Sequence, residues 1–257
     1  MEYETPDGSQ FSLRSVRSGP NENGNFEEYT SVSAIVDGIA YAGRLNGTPD
    51  EVDQGDMVNS LQPVPAECIH PPFQEGFTVA PTFDSSVQYL KAPSFTYDDC
   101  QPGKTFVADC VLNEVKVLER LKASPHPNIV VYHGCVVKNG RITHLCLQRY
   151  PYSLADYVGT GLDDVQYNKI LRAIKEGILH LHSLGLAHND LNAENVLIDA
   201  DREPIIIDFD SCLPLGEPLL KGTGTASESQ PPISSAENDL VDGLQSIDDF
   251  LQTEGRR

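Results

Sequence analysis

Two three-residue apolar runs, Val196-Leu197-Ile198 and Ile205-Ile206-Ile207, flank the polar turn Asp199–Glu203. Runs this short and rich in β-branched residues read as the two strands of a tight hairpin. Leu186-Ala187-His188-Asn189-Asp190-Leu191-Asn192-Ala193-Glu194-Asn195 stands directly before it, and Asp208-Phe209-Asp210 directly after. The spacing of 13 from Asn195 to Asp208 leaves room for one tight hairpin between them. The chain enters this segment through a long helical pattern over Asp163–Leu184. There Ile170, Ile174, Ile178 and Leu181 recur at helical spacing, and Gly185 follows as a stop. This order of helix, polar loop, hairpin and acidic tip constrains the chain more than any other feature.

Upstream, Val32–Val36 and Ile39–Ala42 are joined by Asp37-Gly38, a pair suited to the positive φ angles of a hairpin turn. Residues 1–30 read as a flexible acidic leader, residues 45–66 as a polar loop, and the stretch around Pro71, Pro72 and Pro81 as irregular. Val87–Lys91 reads as a strand. A helical pattern over about 104–123 buries Val111, Leu112, Val115, Leu118 and Leu121, and Pro125 and Pro127 stop it. Ile129–Val137 and Ile142–Leu147 read as strands around Lys138-Asn139-Gly140, and Ser153–Val158 as a short helix. Residues 221–236 form a Ser/Thr/Gly/Pro loop before a last amphipathic helix, about Glu237–Leu251.

A net charge of −20 over 257 residues excludes broad association with nucleic acid or an anionic membrane, since phosphates would be repelled over most of the surface. Residues 1–60 alone carry eleven Asp or Glu against three Arg and no Lys. The acidic start Met1-Glu2-Tyr3-Glu4 has neither the positive charge nor the apolar run of an export signal. The six cysteines show no C-x-x-C pair. Reduced, buried thiols in an intracellular protein, cytoplasmic or nuclear, are therefore expected, and the expected state is a monomer.

The string H-x-D-x-x-x-x-N after a long helix, then a hairpin, then Asp-Phe, resembles the catalytic loop and D-F-G segment of the protein-kinase-like superfamily. The H-N-D-L-N texture is similar to that of short fungal serine/threonine protein-kinase-like proteins. The resemblance spans roughly residues 85–251 and implies an α+β, bilobal fold. Its small antiparallel-sheet N-lobe would occupy 31–147, and a truncated, mainly helical C-lobe 148–257. It further implies ATP and Mg as cofactors and a protein substrate or binding partner. Carried over residue by residue, Asp190 would face the acceptor hydroxyl, and Asn195 and Asp208 would be oxygen ligands of the metal. Lys91 would contact the α- and β-phosphates, with Glu114 as its partner. Leu145–Tyr150 would form the hinge, so that Gln148 and Tyr150 border the adenine. His126-Pro127-Asn128-Ile129-Val130 resembles the turn after the glutamate helix. Asp239 resembles the aspartate that anchors the catalytic loop from below.

Departures from that pattern open alternatives. No glycine-rich loop precedes Lys91: Phe73–Pro81 has one glycine, Gly76. Asn189 stands where Arg would pair with a phosphorylated loop, Asn192 where a lysine is usual, and Asp210 where the flexible glycine of D-F-G is expected. No A-P-E string follows, and the sequence stops soon after the helix of Asp239. Besides a minimal serine/threonine kinase, two readings remain open. One is an inactive pseudokinase acting as a scaffold. The other is a small-molecule kinase of the aminoglycoside or choline type.

Overall fold

A computed structural model of the chain describes residues 2–4, 10–17, 28–36, 39–159, 161–219 and 233–255. They fall into two compact units: Met1–Glu75 with Lys91–Val111 and Val136–His144, and Gly76–Leu90 with Leu112–Cys135 and Leu145–Arg257.

The first unit is built on strands β1 (Glu2–Glu4), β2 (Gln10–Arg17), β3 (Glu28–Val36) and β4 (Ile39–Asn46). Helix α1 (Gln54–Ser60), strand β5 (Gln62–Pro63) and helix α2 (Ala66–Ile69) follow. The five strands make one antiparallel sheet in sequence order. Val36 faces Ile39 in register, as the hairpin reading requires, although Asp37-Gly38 itself lies outside the described residues. Alternation along β3 sends Val32 and Ala34 to one face, where Met57 of α1 packs with Leu45 and Leu61. On the other side Ile35, Ala40 and Ala42 meet Cys68, Ile69, Phe95 and Cys100.

Two expectations are corrected here. Residues 1–30 contribute β1, β2 and the start of β3 where a flexible leader is expected. Residues 45–66 hold a 3₁₀ turn at Pro49–Glu51, α1 and β5 where a loop is expected. Asp53 starts α1 by accepting from the Gly55 N–H at 2.7 Å.

Further along come β6 (Gln88–Lys91), α3 (Phe106–Ala123), β7 (Tyr132–Lys138) and β8 (Arg141–Gln148). Next are β9 (Tyr152–Ser153), α4 (Leu154–Val158), α5 (Asp164–Ser183), β10 (Leu186–Ala187), β11 (Val196–Ile198), β12 (Pro204–Ile206) and β13 (Leu213–Pro214). A π-helical turn, Asn238–Gly243, leads into α6 (Leu244–Glu254). In the second unit α5 packs on α6, β10 and β12, burying Ile170, Ile174, Ile178 and Leu181 as its periodicity foretells. Asp163 caps α5, accepting from Gln166 N at 2.8 Å while the Gln166 side chain returns the bond at 3.0 Å. Helix α6 buries Ile247 and Leu251 and turns Gln245, Asp249 and Gln252 outward. All six cysteines are free and buried, and among the described residues no helix is long and apolar enough to cross a membrane.

Segment Thr78–Ala80 runs along β7: the Cys135 N–H donates to Thr78 O at 2.7 Å and the Ala80 N–H to Cys135 O at 2.8 Å. The approach depends on Gly134, whose φ is +140° and where an added Cβ would sit 2.6 Å from Ala80 N and 2.8 Å from Thr78 O. Gly134→Ala is expected to lower stability by about 3 kcal/mol or more, combining a rarely adopted φ with a backbone clash. Gly76→Ala, at φ +99° in open space, should cost only about 1 kcal/mol. Equilibrium urea unfolding of both variants checks this, and equal losses would mean that the close approach contributes nothing.

Candidate catalytic loop and acidic tip

Asp239 lies in the π-helical turn with no exposed surface. Its Oδ2 accepts the backbone N–H of His188 at 2.9 Å and its Oδ1 that of Asn189 at 2.8 Å. The His182 ring of α5 also lies 2.9 Å from Oδ2 through Nε2. A carboxylate withdrawn from water is tolerated when its lone pairs are matched to donors in this way. The same turn presses on the loop from another side, for an added Cβ at Gly243 would lie 2.7 Å from Leu191 Cβ. Asn189 sits at φ +63°, a left-handed conformation that Asn tolerates better than most residues.

Beyond it the loop folds on its own amides. Asn192 Oδ1 accepts from Glu194 N at 2.9 Å and Asn195 N at 3.2 Å, capping the 3₁₀ turn Ala193–Asn195. Asn192 Nδ2 donates to Asp190 O at 3.2 Å. Asn195, buried, donates through Nδ2 to Asp190 O at 2.7 Å and to Asp190 Oδ2 at 3.3 Å. With its nitrogen so committed, the Asn195 oxygen is the atom left to serve as a ligand. Strands β11 and β12 pair in register from Val196–Ile206 to Ile198–Pro204, and the Ile207 N–H donates to Asn195 O at 3.0 Å. The hairpin thus brings the chain back to Asn195 one residue before Asp208.

The hairpin is held in place by the His126-Pro127-Asn128 turn. Buried Asn128 donates through Nδ2 to Pro204 O at 2.9 Å, and its own carbonyl accepts from Ile206 N at 2.9 Å. Past the hairpin, Asp208 takes φ +62°. Phe209 is buried, lies edge-on to the His188 ring at 5.1 Å, and donates its N–H to Glu114 Oε1 at 3.2 Å. The His188 ring meets Ile207 O through Nε2 at 2.8 Å.

The left-handed residue of the acidic tip is Asp208, and Asp210 has no positive φ. A turn from Phe209 to Cys212, closed by a 3.1 Å backbone bond, forms without a glycine. Asp210 Oδ1 accepts from the Ser211 hydroxyl at 2.9 Å.

Asp190 is an exposed residue, yet its carboxyl is pushed above the ordinary carboxylate range. Desolvation by the surrounding protein is the largest cause, and the Asp210 and Asp208 carboxylates add to it. His188 and the Asn195 amide pull the other way. The carboxylates of Asp208 and Asp210 thus disfavour ionisation of Asp190.

The remaining expected site residues lie further out. Gln148 closes β8, its Oε1 3.3 Å from His133 Nε2, and the Tyr150 hydroxyl accepts from Val131 N at 3.3 Å. Lys91 closes β6 and belongs to the first unit, whereas Glu114, Asp190, Asn195 and Asp208 belong to the second. Asn189 Nδ2 donates to Ser211 O and Ser234 Oγ and its Oδ1 accepts from Asn238 Nδ2, contacts that escaped the sequence reading because these three partners lie more than twenty positions away.

A loop pinned on a buried aspartate, a hairpin and an Asp-Phe tip bound to a helix glutamate define a protein-kinase-like α+β fold. The chain belongs to the protein kinase domain family, whose sequence profile matches residues 98–226, half of its length. Asp190, Asn195, Asp208 and Glu114 lie inside the match; Lys91 and Asp239 lie outside it. Over 116 residues the chain is 30% identical to the serine/threonine-protein kinase/endoribonuclease IRE1 of Hypocrea jecorina, covering 40% of this chain and 9% of that protein. It is 31% identical over 124 residues to the serine/threonine-protein kinase SMU1 of Mycosarcoma maydis, covering 48% and 16%. It is likewise 31% identical over 124 residues to the serine/threonine-protein kinase STE20 of Saccharomyces cerevisiae, covering 48% and 12%.

Two outcomes are expected. Asp239→Asn turns one acceptor into a donor facing bound donors and should lower stability by about 3 kcal/mol or more, read by urea unfolding. Asp190→Asn should raise the melting temperature at pH 7. A carboxyl whose folded pKa is raised binds protons more readily in the native state, so ionisation destabilises the fold as pH rises through the window above the ordinary carboxylate pKa. The gain should vanish below about pH 3, where the carboxyl is protonated in both states. A melting temperature unchanged by the substitution at both pH values would contradict this.

Proposed function

We propose that the chain is an ATP- and Mg-dependent protein kinase that phosphorylates Ser or Thr hydroxyls of a protein substrate. The observation that carries the reading is the placement of Asp190 and Asn195 on a loop held by Asp239, with Asp208 at the end of the hairpin that follows it. The match to the protein kinase domain and the kinase names of the relatives support it.

The donor set suits a hard cation. The Asn195 oxygen and the Asp208 carboxylate are oxygen ligands, and the crowding of carboxylates at Asp190 is relieved by positive charge. Among the described residues no group of three or more His, Cys, Asp or Glu side chains is placed to hold a metal. Asn195 and Asp208 would hold the ion together with nucleotide phosphates and water, as Mg²⁺ prefers. When bound, Mg·ATP supplies the phosphoryl group and the charge that offsets its transfer. The chain's own part is to hold and orient. Asp190 accepts the proton of the acceptor hydroxyl, and its raised pKa brings its basicity closer to that task. Asn195 fixes the Asp190 carboxylate, and Glu114 steadies the acidic tip through Phe209 N. The backbone between Gln148 and Tyr150 would border the adenine.

One observation favours a pseudokinase. The segment expected to approximate a glycine-rich loop spends its backbone groups elsewhere. Ala80 N donates to Cys135 O and Thr78 N to Glu119 Oε1 at 2.6 Å, which removes these amides as a cradle for phosphates. Nucleotide binding separates the readings. Calorimetric titration with Mg·ATP should give a metal-dependent affinity in the micromolar to millimolar range that Asp208→Ala abolishes. If wild-type protein binds nothing at millimolar nucleotide, the pseudokinase reading stands. If it binds, transfer to protein acceptors should fall at least about a thousandfold in Asp190→Ala.

A further inference from the structure

We propose that Cys68 and Cys100 form a dithiol modification site. A low-molecular-weight disulfide oxidises the pair to an intramolecular disulfide that ties α2 to the 3₁₀ turn Tyr97–Cys100. Both cysteines belong to the first unit, and the proposal does not rest on the kinase reading.

The two thiols meet in one apolar cluster with Ala40, Ala42, Val64, Ile69, Phe95 and Val107. Cys68 lies on α2, Cys100 closes the 3₁₀ turn, and the two elements pack on each other. Cys68 Sγ reaches the carbonyl of Gln101, the neighbour of Cys100 and thirty-three positions away, at 3.7 Å. The turn is itself fixed to the sheet, since the Tyr97 N–H donates to Ser31 Oγ at 2.8 Å. Its first residue is capped as well, the Thr96 N–H donating to Asp99 Oδ2 at 2.8 Å. The sulfur of Cys100 therefore sits on backbone that is held in place.

Oxidation leaves no acceptor stranded. The Cys100 thiol donates to Thr96 O at 3.1 Å and the Cys68 thiol to Gln101 O. Each carbonyl has a backbone donor besides: Asp99 N–H for Thr96 at 3.2 Å, and Lys104 N–H for Gln101 at 3.0 Å. Thiols are weak donors, so an apolar S–S bond replaces them in this cluster at little cost in hydrogen bonding.

The reaction balances between the pair and its oxidant. One cysteine thiolate attacks a sulfur of the small disulfide and expels the first small thiolate. The second cysteine then attacks the protein sulfur of the mixed disulfide and expels the other. Two electrons pass from the cysteines to the oxidant, and the two small thiols formed take up the two cysteine protons.

Burial sets the pace. Cys68 has no exposed surface and Cys100 is 7% exposed. Desolvation pushes the Cys100 thiol up to about 12, helped by the Asp99 carboxylate, and burial with the charge of Glu67 raises Cys68. In the closed fold neither is a ready nucleophile. Exchange therefore proceeds when α2 opens from the turn, and the finished bond is shielded from reduction in the same way.

The full chain is unfolded in urea and refolded in buffer containing oxidised glutathione with a small fraction of the reduced form. Remaining thiols are alkylated, and peptides are mapped by mass spectrometry without reduction. The peptides of Cys68 and Cys100 should be linked, with Cys110, Cys135, Cys146 and Cys212 alkylated. Free or glutathione-capped Cys68 and Cys100, or either linked to another cysteine, overturns the proposal. Linked protein should melt about 5 °C or more above the same sample reduced with dithiothreitol, because the bond closes a long loop in the unfolded chain. No rise overturns the tie between α2 and the turn. Cys100→Ala should show neither the link nor a melting shift between oxidised and reduced samples, and a shift in that variant would overturn the assignment. Each variant is compared with its own reduced form, so a loss of stability from the substitution does not enter. Folded wild-type protein should form the link at least about a hundredfold more slowly than the urea-unfolded chain; equal rates would overturn the requirement for opening.

Discussion

A carboxylate with no exposed surface, at Asp239, receives two backbone N–H groups from His188 and Asn189 and faces the ring of His182. Left unpaired, a buried charge costs several kcal/mol; matched to oriented donors, it becomes a fixed point that only one backbone path satisfies. That path determines where Asp190 emerges. The loop then closes on its own amides through Asn192 and Asn195, and the β11–β12 hairpin carries the chain back to Asp208. The Asn128 turn fixes the hairpin's second strand from outside. The acidic tip is therefore the end of a series of hydrogen bonds that starts at one buried side chain.

The positions that depart from the protein kinase pattern have structural work in this chain. Asn192 caps the 3₁₀ turn before Asn195, and Asn189 binds both ends of the following segment. Asp210 occupies a turn in which the demanding backbone angle has fallen on Asp208. Thr78–Ala80, in place of a flexible phosphate loop, lies against β7. Two of these changes replace a charged or mobile device by neutral hydrogen bonding. Such bonding is little screened by salt.

The second unit was the more legible half, because its signals are local. Helix α5 follows from four apolar residues at helical spacing, and the hairpin from two β-branched runs about a polar turn. The first unit hid its order. Strand β3 carries Thr30, Ser31 and Ser33, polar residues that suggest a loop border, yet all three are buried. Thr30 Oγ1 donates to Gly47 O at 2.7 Å, and Ser31 Oγ accepts from Tyr97 N at 2.8 Å, sixty-six positions away. A polar side chain reads as exposed until its distant partner is known, which is why residues 1–30 and 45–66 read as leader and loop.

By itself the sequence determined the local elements, helices α3 and α5 and the β11–β12 hairpin, and the order in which Glu114, Asp190, Asn195, Asp208 and Asp239 follow along the chain. These follow from spacing and periodicity, which act over a few residues and survive in one dimension. Tertiary structure decided what the substituted positions do. Only folding brings Ser234 and Asn238 to Asn189, sets the left-handed angle at Asp208 rather than Asp210, and draws Thr78–Ala80 onto β7 past Gly134. Hydrogen bonds between residues far apart in the chain depend on where whole elements settle, and that is fixed by packing rather than by local pattern.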